Sequence, residues 1–154
     1  MLYFAYGSNM DWDQIKERCP SAGFFSAAKL KDHRLAFSRK SEIRGCGSAD
    51  AIPEKGQNVW GVIYQIDEED FGRLDAAEDI IPGRAQNGYA RRECYVYPNG
   101  EDGQPLLVSL YFAEKQKDPP LPSAEYKRLI VGGAKYWKLP EDYIEELEQI
   151  KIAL

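Results

Sequence analysis

Three small polar residues near the start of the chain have the types and spacing of an anion-binding turn. The stretch from Leu2 to Tyr6 predicts a strand, and Gly7-Ser8-Asn9 would end it in a tight turn. A short polar helix is predicted to follow over residues 11–18. Gly7 has no Cβ, and the backbone N–H groups of such a junction add to those of the helix N-terminus, so the turn suits a small carboxylate or phosphate. The alternative is an ordinary strand–turn–helix junction that binds nothing.

A second candidate group is the carboxyl group of Glu78, on a helix predicted to begin after Asp67. Glu78 lies four residues after Leu74 and seven after Phe71, so its side chain would project from the same apolar face. Apolar surroundings raise the pKa of a carboxyl group, which suits general acid–base chemistry. The alternative is a carboxylate at the frayed end of the helix that reaches water.

The other chemistry-bearing residues predict neither a hydrolase triad nor a metal centre. His33 is the only histidine, it lies beside Asp32 in a polar corner, and no G-x-S-x-G motif is present. Ser8 has no evident base and is interpreted as a binding residue. Gly132-Gly133 lies in a helical context without a G-x-G-x-x-G frame, which favours close packing or a kink over phosphate binding. We therefore expect no metal ion.

The composition indicates an acidic globular domain. The 154 residues include 25 acidic and 20 basic side chains, and the resulting net charge of −5 argues against a nucleic-acid binder. No apolar run is long enough to predict a membrane span, and the start of the chain does not resemble a signal peptide. Cys19, Cys46 and Cys94 are widely spaced without a C-x-x-C pair, which predicts free thiols. We expect one domain over residues 1–154 and a cytoplasmic protein.

The elements that must position these groups are short strands with helices between hairpins. Beyond the first strand, strands are predicted at Phe24–Leu30, Arg34–Phe37, Ser48–Ile52, Val59–Ile66, Arg91–Tyr97 and Leu106–Ala113. Residues 38–47 are a predicted loop, Ser48–Ile52 and Val59–Ile66 are predicted to pair as a hairpin around residues 53–58, and Asn99-Gly100 marks a second hairpin turn. Helices are predicted from Ser123 to Trp137 and from Pro140 to Ile152. This order predicts an α+β fold with a closed or nearly closed barrel, because closure removes exposed strand edges.

Three stretches resemble a known family in the right order along the chain. The first is Tyr3-Phe4-Ala5-Tyr6-Gly7-Ser8-Asn9, and the second is Leu74-Asp75-Ala76-Ala77-Glu78. The third begins with Ser123-Ala124-Glu125-Tyr126 and continues through Leu139-Pro140-Glu141. Together they resemble the γ-glutamylcyclotransferase family, which is often described with AIG2-like proteins.

The resemblance implies a small mixed β-barrel flanked by helices and a cofactor-free reaction on a small molecule. A γ-glutamyl amide would cyclise to 5-oxoproline and release the attached amine or amino acid. By the resemblance, Glu78 matches the catalytic glutamate, and Tyr126 and Tyr89 match pocket tyrosines. The substrate-binding loop corresponds to Tyr3, Phe4, Ala5, Tyr6, Gly7, Ser8 and Asn9. The alternatives are a relative specific for γ-glutamylamines and a non-catalytic protein that kept the fold and the pocket.

Two features depart from the family pattern beside Glu78. Asp79 stands where the family commonly has glycine, and a neighbouring carboxylate would raise the pKa of Glu78 further. Residues 79–88 form a longer polar stretch than the family loop. We predict that this stretch borders the leaving-group side of the site, where Arg84 would pair with an anionic leaving group. The alternative is a solvated surface loop that does not contact the substrate.

Overall fold

The computed structural model describes residues 1–78, 80–85 and 87–154. In these ranges the strands are β1 (Leu2–Ala5), β2 (Gly23–Lys40), β3 (Gly47–Gln65), β4 (Tyr89–Pro98) and β5 (Leu106–Ala113). They close into a barrel in the order β1-β3-β2-β4-β5, in which β1 and β5 are parallel and the other pairs are antiparallel. The helices are a 3₁₀ helix (Ser8–Met10), α1 (Trp12–Arg18), α2 (Glu68–Ala77), α3 (Ala124–Tyr136) and α4 (Glu141–Glu148). The predicted α+β barrel flanked by helices is confirmed.

The longest strands differ from the prediction. Phe24–Leu30 and Arg34–Phe37 are parts of β2. The predicted hairpin around residues 53–58 is wrong, because Ser48–Ile52 and most of Val59–Ile66 belong to the single strand β3 and pair with β2. The predicted loop at 38–47 shrinks to a turn of residues 41–46. The polar corner at Asp32 and His33 is a bulge within β2 and does not interrupt the strand. Asp32 takes a left-handed φ of 59°, and its Oδ1 accepts a hydrogen bond from Gly56 N at 3.0 Å, so the paired strands bend together.

A side chain just before each of three helices caps its first turn. The carboxylate of Asp11 accepts from Gln14 N, that of Asp67 from Asp70 N, and the Ser123 hydroxyl from Tyr126 N. Helix α4 ends at Glu148, earlier than the predicted Ile152. Lys127 Nζ donates to the carbonyls of Glu148 at 2.7 Å and Ile150 at 2.9 Å, which satisfies the last turn and lets the chain leave the helix.

Strand β1 contributes to two apolar cores, because successive side chains of a strand point to opposite faces. Phe4 lies in the barrel interior with Ile63 and Leu110, and so does Tyr6, which comes directly after the strand. Tyr3 and Ala5 face the helices and belong to a second cluster, whose other members include Met10, Tyr64, Phe71, Leu74, Ile130 and Leu147. The turn that follows β1 is therefore anchored in both cores. In the described part of the chain no helix is long and apolar enough to cross a membrane.

Candidate active site

The turn after β1 is held from several sides by buried hydrogen bonds. Asn9 Nδ2 donates to the Tyr3 hydroxyl at 2.9 Å, and the carbonyl of Asn9 accepts from the Tyr64 hydroxyl at 2.9 Å. The carbonyl of Met10 accepts from Trp137 Nε1 at 2.9 Å, so the end of α3 also fixes the turn. These contacts determine where the backbone N–H groups of residues 7–9 lie. In the described ranges no residue accepts a hydrogen bond from them.

Helix α1 orients the polar side chains of the same turn. Gln14 Nε2 donates to Ser8 Oγ at 2.8 Å and to Asn9 Oδ1 at 2.9 Å. Arg18 Nη1 donates to Asn9 Oδ1 at 3.0 Å. Because Asn9 is bound at both ends of its amide, its rotamer is fixed, and with it the direction of the Tyr3 hydroxyl. The predicted binding turn is therefore preorganised by residues of the next helix.

A small chamber lies beneath this turn and has a volume of about 50 Å³. We call it the inner chamber. Its lining residues are Tyr3, Phe4, Tyr6, Gly7, Ser8, Asn9, Ser48, Ala49, Glu78, Tyr89, Tyr111 and Tyr126. A Cβ on Gly7 would lie 3.1 Å from the Ala49 Cβ and 3.5 Å from the Tyr126 hydroxyl, so a side chain there would crowd the chamber wall.

Glu78 caps the C-terminus of α2 and lines the inner chamber. Its backbone N–H donates to Leu74 O at 2.9 Å, which continues the last helical turn and brings its side chain to the chamber. Burial of the carboxyl group raises the pKa of Glu78 to about 7, against an ordinary value of 4.5. The nearby guanidinium groups of Arg18 and Arg44 oppose this rise in the pKa, and the Asp75 carboxylate adds to it. A carboxyl group with this pKa can accept and return a proton near neutral pH.

Two tyrosine hydroxyl groups border the same chamber from different elements. The Tyr126 hydroxyl of α3 accepts a hydrogen bond from Ala49 N at 3.0 Å, which leaves its own proton for a ligand. The Tyr89 hydroxyl of β4 is hydrogen-bonded to Ser48 Oγ. Because Ser48 Oγ itself donates to Arg39 O at 3.0 Å, the Tyr89 hydroxyl acts as the donor to Ser48. Burial raises the pKa of both tyrosines, so both hydroxyls stay protonated at neutral pH.

A larger cavity of about 330 Å³ adjoins the inner chamber, and we call it the outer cavity. The two share the lining residues Ser8, Ser48, Glu78, Tyr89 and Tyr126. The outer cavity is further lined by Arg18, Arg39 and Arg44, and by Gly88 at the end of the 79–88 stretch. Glu78 therefore stands at the junction of a small chamber, formed by the N-terminal turn, and a larger cavity lined by cationic groups.

The structure brings together nearly all of the residues singled out in the sequence. Ala5 is the exception in the N-terminal stretch, because it is buried against the helices and is not among the chamber residues. Arg84 is not among the described residues that line either cavity, and its Nε donates to Asn87 Oδ1 at 2.7 Å. Asp79, for which we expected an effect on the pKa of Glu78, lies outside the described residues.

Several lining residues had no signal in the sequence. Tyr111 of β5 donates its hydroxyl to Asp75 Oδ1 at 2.6 Å and enters the chamber through strand pairing. The arginines at 18, 39 and 44 come from α1, from the end of β2 and from the turn of residues 41–46. Arg39 and Arg44 lie at the turn that joins β2 to β3, so only a prediction of this long hairpin could have placed them beside the cavity.

The fold and the site define a small helix-flanked barrel protein with a carboxyl group of raised pKa at the junction of two adjoining cavities. Comparison with known proteins agrees with this class. The model of the AIG2-like family matches residues 58–147. The gamma-glutamylcyclotransferases of Homo sapiens and Mus musculus are each 34% identical over 154 residues, covering 97% of this chain and 78% of theirs. A solved gamma-glutamyl cyclotransferase matches with a TM-score of 0.89 at 32% identity, over 99% of this chain and 89% of that one. The chain belongs to the AIG2-like family.

Proposed function

We propose that this protein is a γ-glutamyl cyclotransferase, which converts a γ-glutamyl amide into 5-oxoproline and releases the amine. The observation that carries the proposal is the position of Glu78, at the junction of the inner chamber and the outer cavity. The similarity to gamma-glutamylcyclotransferases over nearly the whole chain supports it. In this arrangement the glutamyl part occupies the inner chamber, and the leaving amine extends into the outer cavity.

The glutamyl part is bound by the turn after β1. The backbone N–H groups of Gly7 and Ser8 donate to an oxygen of the substrate, and the Tyr126 hydroxyl donates a further hydrogen bond. Donors that are already fixed in place stabilise developing negative charge without further reorganisation. The hydrogen bonds from Gln14 and Arg18 to the side chains of Ser8 and Asn9 supply that rigidity.

Glu78 moves one proton between the two nitrogens of the reaction. Its carboxylate accepts a proton from the substrate's α-amine, whose lone pair attacks the γ-carbonyl carbon and forms the ring C–N bond. The protonated Glu78 then donates to the leaving nitrogen, and the original amide C–N bond breaks. The carboxylate is regenerated and no other reactant is consumed. A pKa of about 7 suits both proton transfers.

Ring closure also gains from holding the substrate in a folded pose. The nucleophile and the electrophile belong to one molecule, so a binding chamber that brings them together supplies much of the acceleration. The small volume of the inner chamber, about 50 Å³, favours a compact glutamyl conformation over an extended one.

The assignment of Glu78 is tested with Glu78→Gln. Glutamine keeps the size and hydrogen bonding of the side chain but cannot transfer the proton. We expect 5-oxoproline release from γ-glutamyl dipeptides and γ-glutamylamines to fall by about 10²- to 10⁴-fold. The control is binding of 5-oxoproline to the variant, which should persist because the turn is unchanged. A variant that folds, binds product and retains nearly full turnover would show that Glu78 is not the acid–base group.

A cytoplasmic location and a single domain over residues 1–154 are parts of the same proposal. The thiols of Cys19, Cys46 and Cys94 are free, as expected of a protein in a reducing compartment. The binding partner of the site is a small γ-glutamyl compound.

A further inference from the structure

The outer cavity gathers cationic groups in a protein of net charge −5. Among the described residues that line it, Arg18, Arg39, Lys40 and Arg44 are cationic, whereas Glu42 and Glu78 are the acidic ones. The three arginines are partly buried, and they come from three separate elements. Such a local excess of cations over acidic groups indicates an anionic occupant.

Each of these guanidinium groups is held by a neutral partner. Arg18 Nη1 donates to Asn9 Oδ1 at 3.0 Å, and Arg39 Nη1 donates to Glu114 O at 3.2 Å. Arg44 Nη2 donates to Gln14 Oε1 at 2.5 Å, and its guanidinium lies 5.1 Å from the centre of the Tyr126 ring. These contacts orient the groups without neutralising them, and each guanidinium keeps further N–H donors for a ligand.

Other arginines of the chain pair with carboxylates, unlike those of the outer cavity. Arg91 lies 3.4 Å from Asp75 Oδ2, and Arg73 lies 3.2 Å from Asp70 Oδ1. Within the described ranges no carboxylate lies within 4.0 Å of the guanidinium groups of Arg18, Arg39 or Arg44. Partly buried guanidinium groups without a carboxylate partner are best satisfied by carboxylates of a ligand, which they can bind in a bidentate way.

The balance of charge sets the number of carboxylates in that ligand. When Glu78 is ionised, it offsets one of the three guanidinium groups, and it lies close enough for Arg18 and Arg44 to lower its pKa. Two positive charges remain for the occupant. We propose that the outer cavity selects a leaving group with two carboxylates, so that the preferred substrates are γ-glutamyl derivatives of acidic amino acids. Arg39 and Arg44 act as the specificity-determining residues. This inference rests on the proposed function for the reaction itself.

Matched substrates that differ by one charge test the inference. We would compare γ-glutamyl-aspartate with γ-glutamyl-asparagine, and γ-glutamyl-glutamate with γ-glutamyl-glutamine, by measuring 5-oxoproline release. Because each pair has nearly the same shape, we expect kcat/KM to be about tenfold or more higher for the dicarboxylate leaving group. Equal kcat/KM within both pairs would overturn the inference while leaving the cyclotransferase function intact.

Variants of the cavity arginines show which residues cause the preference for a dicarboxylate leaving group. Arg39→Met and Arg44→Met each keep an unbranched apolar stem and remove the charge, and each should bring the preference for the charged substrate close to unity. Arg34→Met is the matched control, because Arg34 pairs with Glu54 and lies outside both cavities. The preference should be unchanged in this control. A preference that survives the loss of both cavity arginines would overturn their assignment.

Binding measurements keep the inference independent of turnover. Calorimetric titration of Glu78→Gln with γ-glutamyl-aspartate and γ-glutamyl-asparagine should give Kd values that differ by about tenfold, with the difference decreasing at high salt. If no γ-glutamyl compound releases 5-oxoproline from the wild-type protein, the proposed function is wrong. The Kd ratio then still decides whether the cavity selects dicarboxylates, since equal Kd values would refute that selection.

Discussion

At the scale of single residues, Glu78 shows how a helix end can bring a carboxyl group into a cavity. Leu74 is fully buried and Phe71 is 1% exposed, so the apolar face of α2 is fixed against the barrel. Glu78 continues that face by one more turn, at the point where α2 ends and the cavity begins. The carboxyl group is therefore directed inward by the packing of residues that precede it. The raised pKa follows from this position.

The raised pKa predicts a dependence of stability on pH. The folded state binds the proton of Glu78 more tightly than the unfolded chain, because the pKa rises from 4.5 to about 7 on folding. Ionised Glu78 therefore destabilises the fold progressively as the pH rises through this range, and the full cost is present above pH 7. We expect Glu78→Gln to increase the free energy of unfolding at pH 8 by on the order of 2–3 kcal/mol.

The measurement is urea denaturation of the wild type and of the variant from pH 4.5 to pH 8. The gain in the variant should shrink steadily as the pH falls through about 7 towards 4.5. Glu101→Gln, an exposed change in the turn between β4 and β5, is the control for a general effect of removing a carboxylate. A pH-independent difference between wild type and Glu78→Gln would contradict the burial of this carboxyl group.

At the scale of elements, the position of the N-terminal turn depends on close packing against α3. An added Cβ at Gly133 would lie 2.5 Å from the carbonyl carbon of Met10 and 2.6 Å from the Met10 Cβ. The neighbouring Gly132 has open space around the same position. The prediction that Gly132-Gly133 permits close packing is confirmed for Gly133. Helix α3 therefore contacts the turn at Met10, directly after Asn9.

We predict opposite effects for alanine at these two glycines. Gly133→Ala should lower the free energy of unfolding by about 1–3 kcal/mol, because Met10 must move, and should also weaken binding of 5-oxoproline by displacing the turn. Gly132→Ala should raise the free energy of unfolding by about 0.5–1 kcal/mol, because alanine favours the helix. Denaturation and product titration of both variants check this. Equal effects at the two positions would show that α3 does not determine the position of the turn.

At the scale of the whole molecule, one buried carboxylate links three strands of the barrel. Asp50 of β3 is 2% exposed and accepts hydrogen bonds from Ser38 Oγ of β2 at 2.7 Å and from Ala113 N of β5 at 3.0 Å. Strands β2 and β4 pair directly at Ala28–Pro98 and Lys29–Tyr97 within the described residues. Because β3 and β5 are not neighbours in the barrel, the hydrogen bond from Ala113 N to Asp50 joins strands that backbone pairing does not.

We expect Asp50→Ala to lower the free energy of unfolding by about 3 kcal/mol, because it leaves a buried hydroxyl, a buried backbone N–H group and a partly buried one without an acceptor. Ser38→Ala is the matched variant and should lower it by only about 1 kcal/mol, since both backbone donors keep the carboxylate. Chemical denaturation measures both. Similar losses in the two variants would mean that the link from Asp50 to β5 contributes little.

The local features of this protein could be predicted from its sequence, because short-range physics determines them. The helix starts at Asp67 and Ser123 and the turn at Asn99-Gly100 were assigned correctly, since each depends on contacts within a few residues. Helical periodicity placed Glu78 on the apolar face of α2, but it did not decide between a buried carboxyl group and one that reaches water. The roles of the site residues remain predictions.

The tertiary structure decided the features that depend on distant pairing. The bulge at Asp32 keeps β2 and β3 continuous where polar residues had predicted loops, because pairing along both strands compensates for the local preference. That pairing carries Arg39 and the turn bearing Arg44 to the cavity beside Glu78, more than thirty residues away along the chain. No local pattern specifies such a meeting. It arises from barrel closure, which joins the ends of separate elements around one cavity.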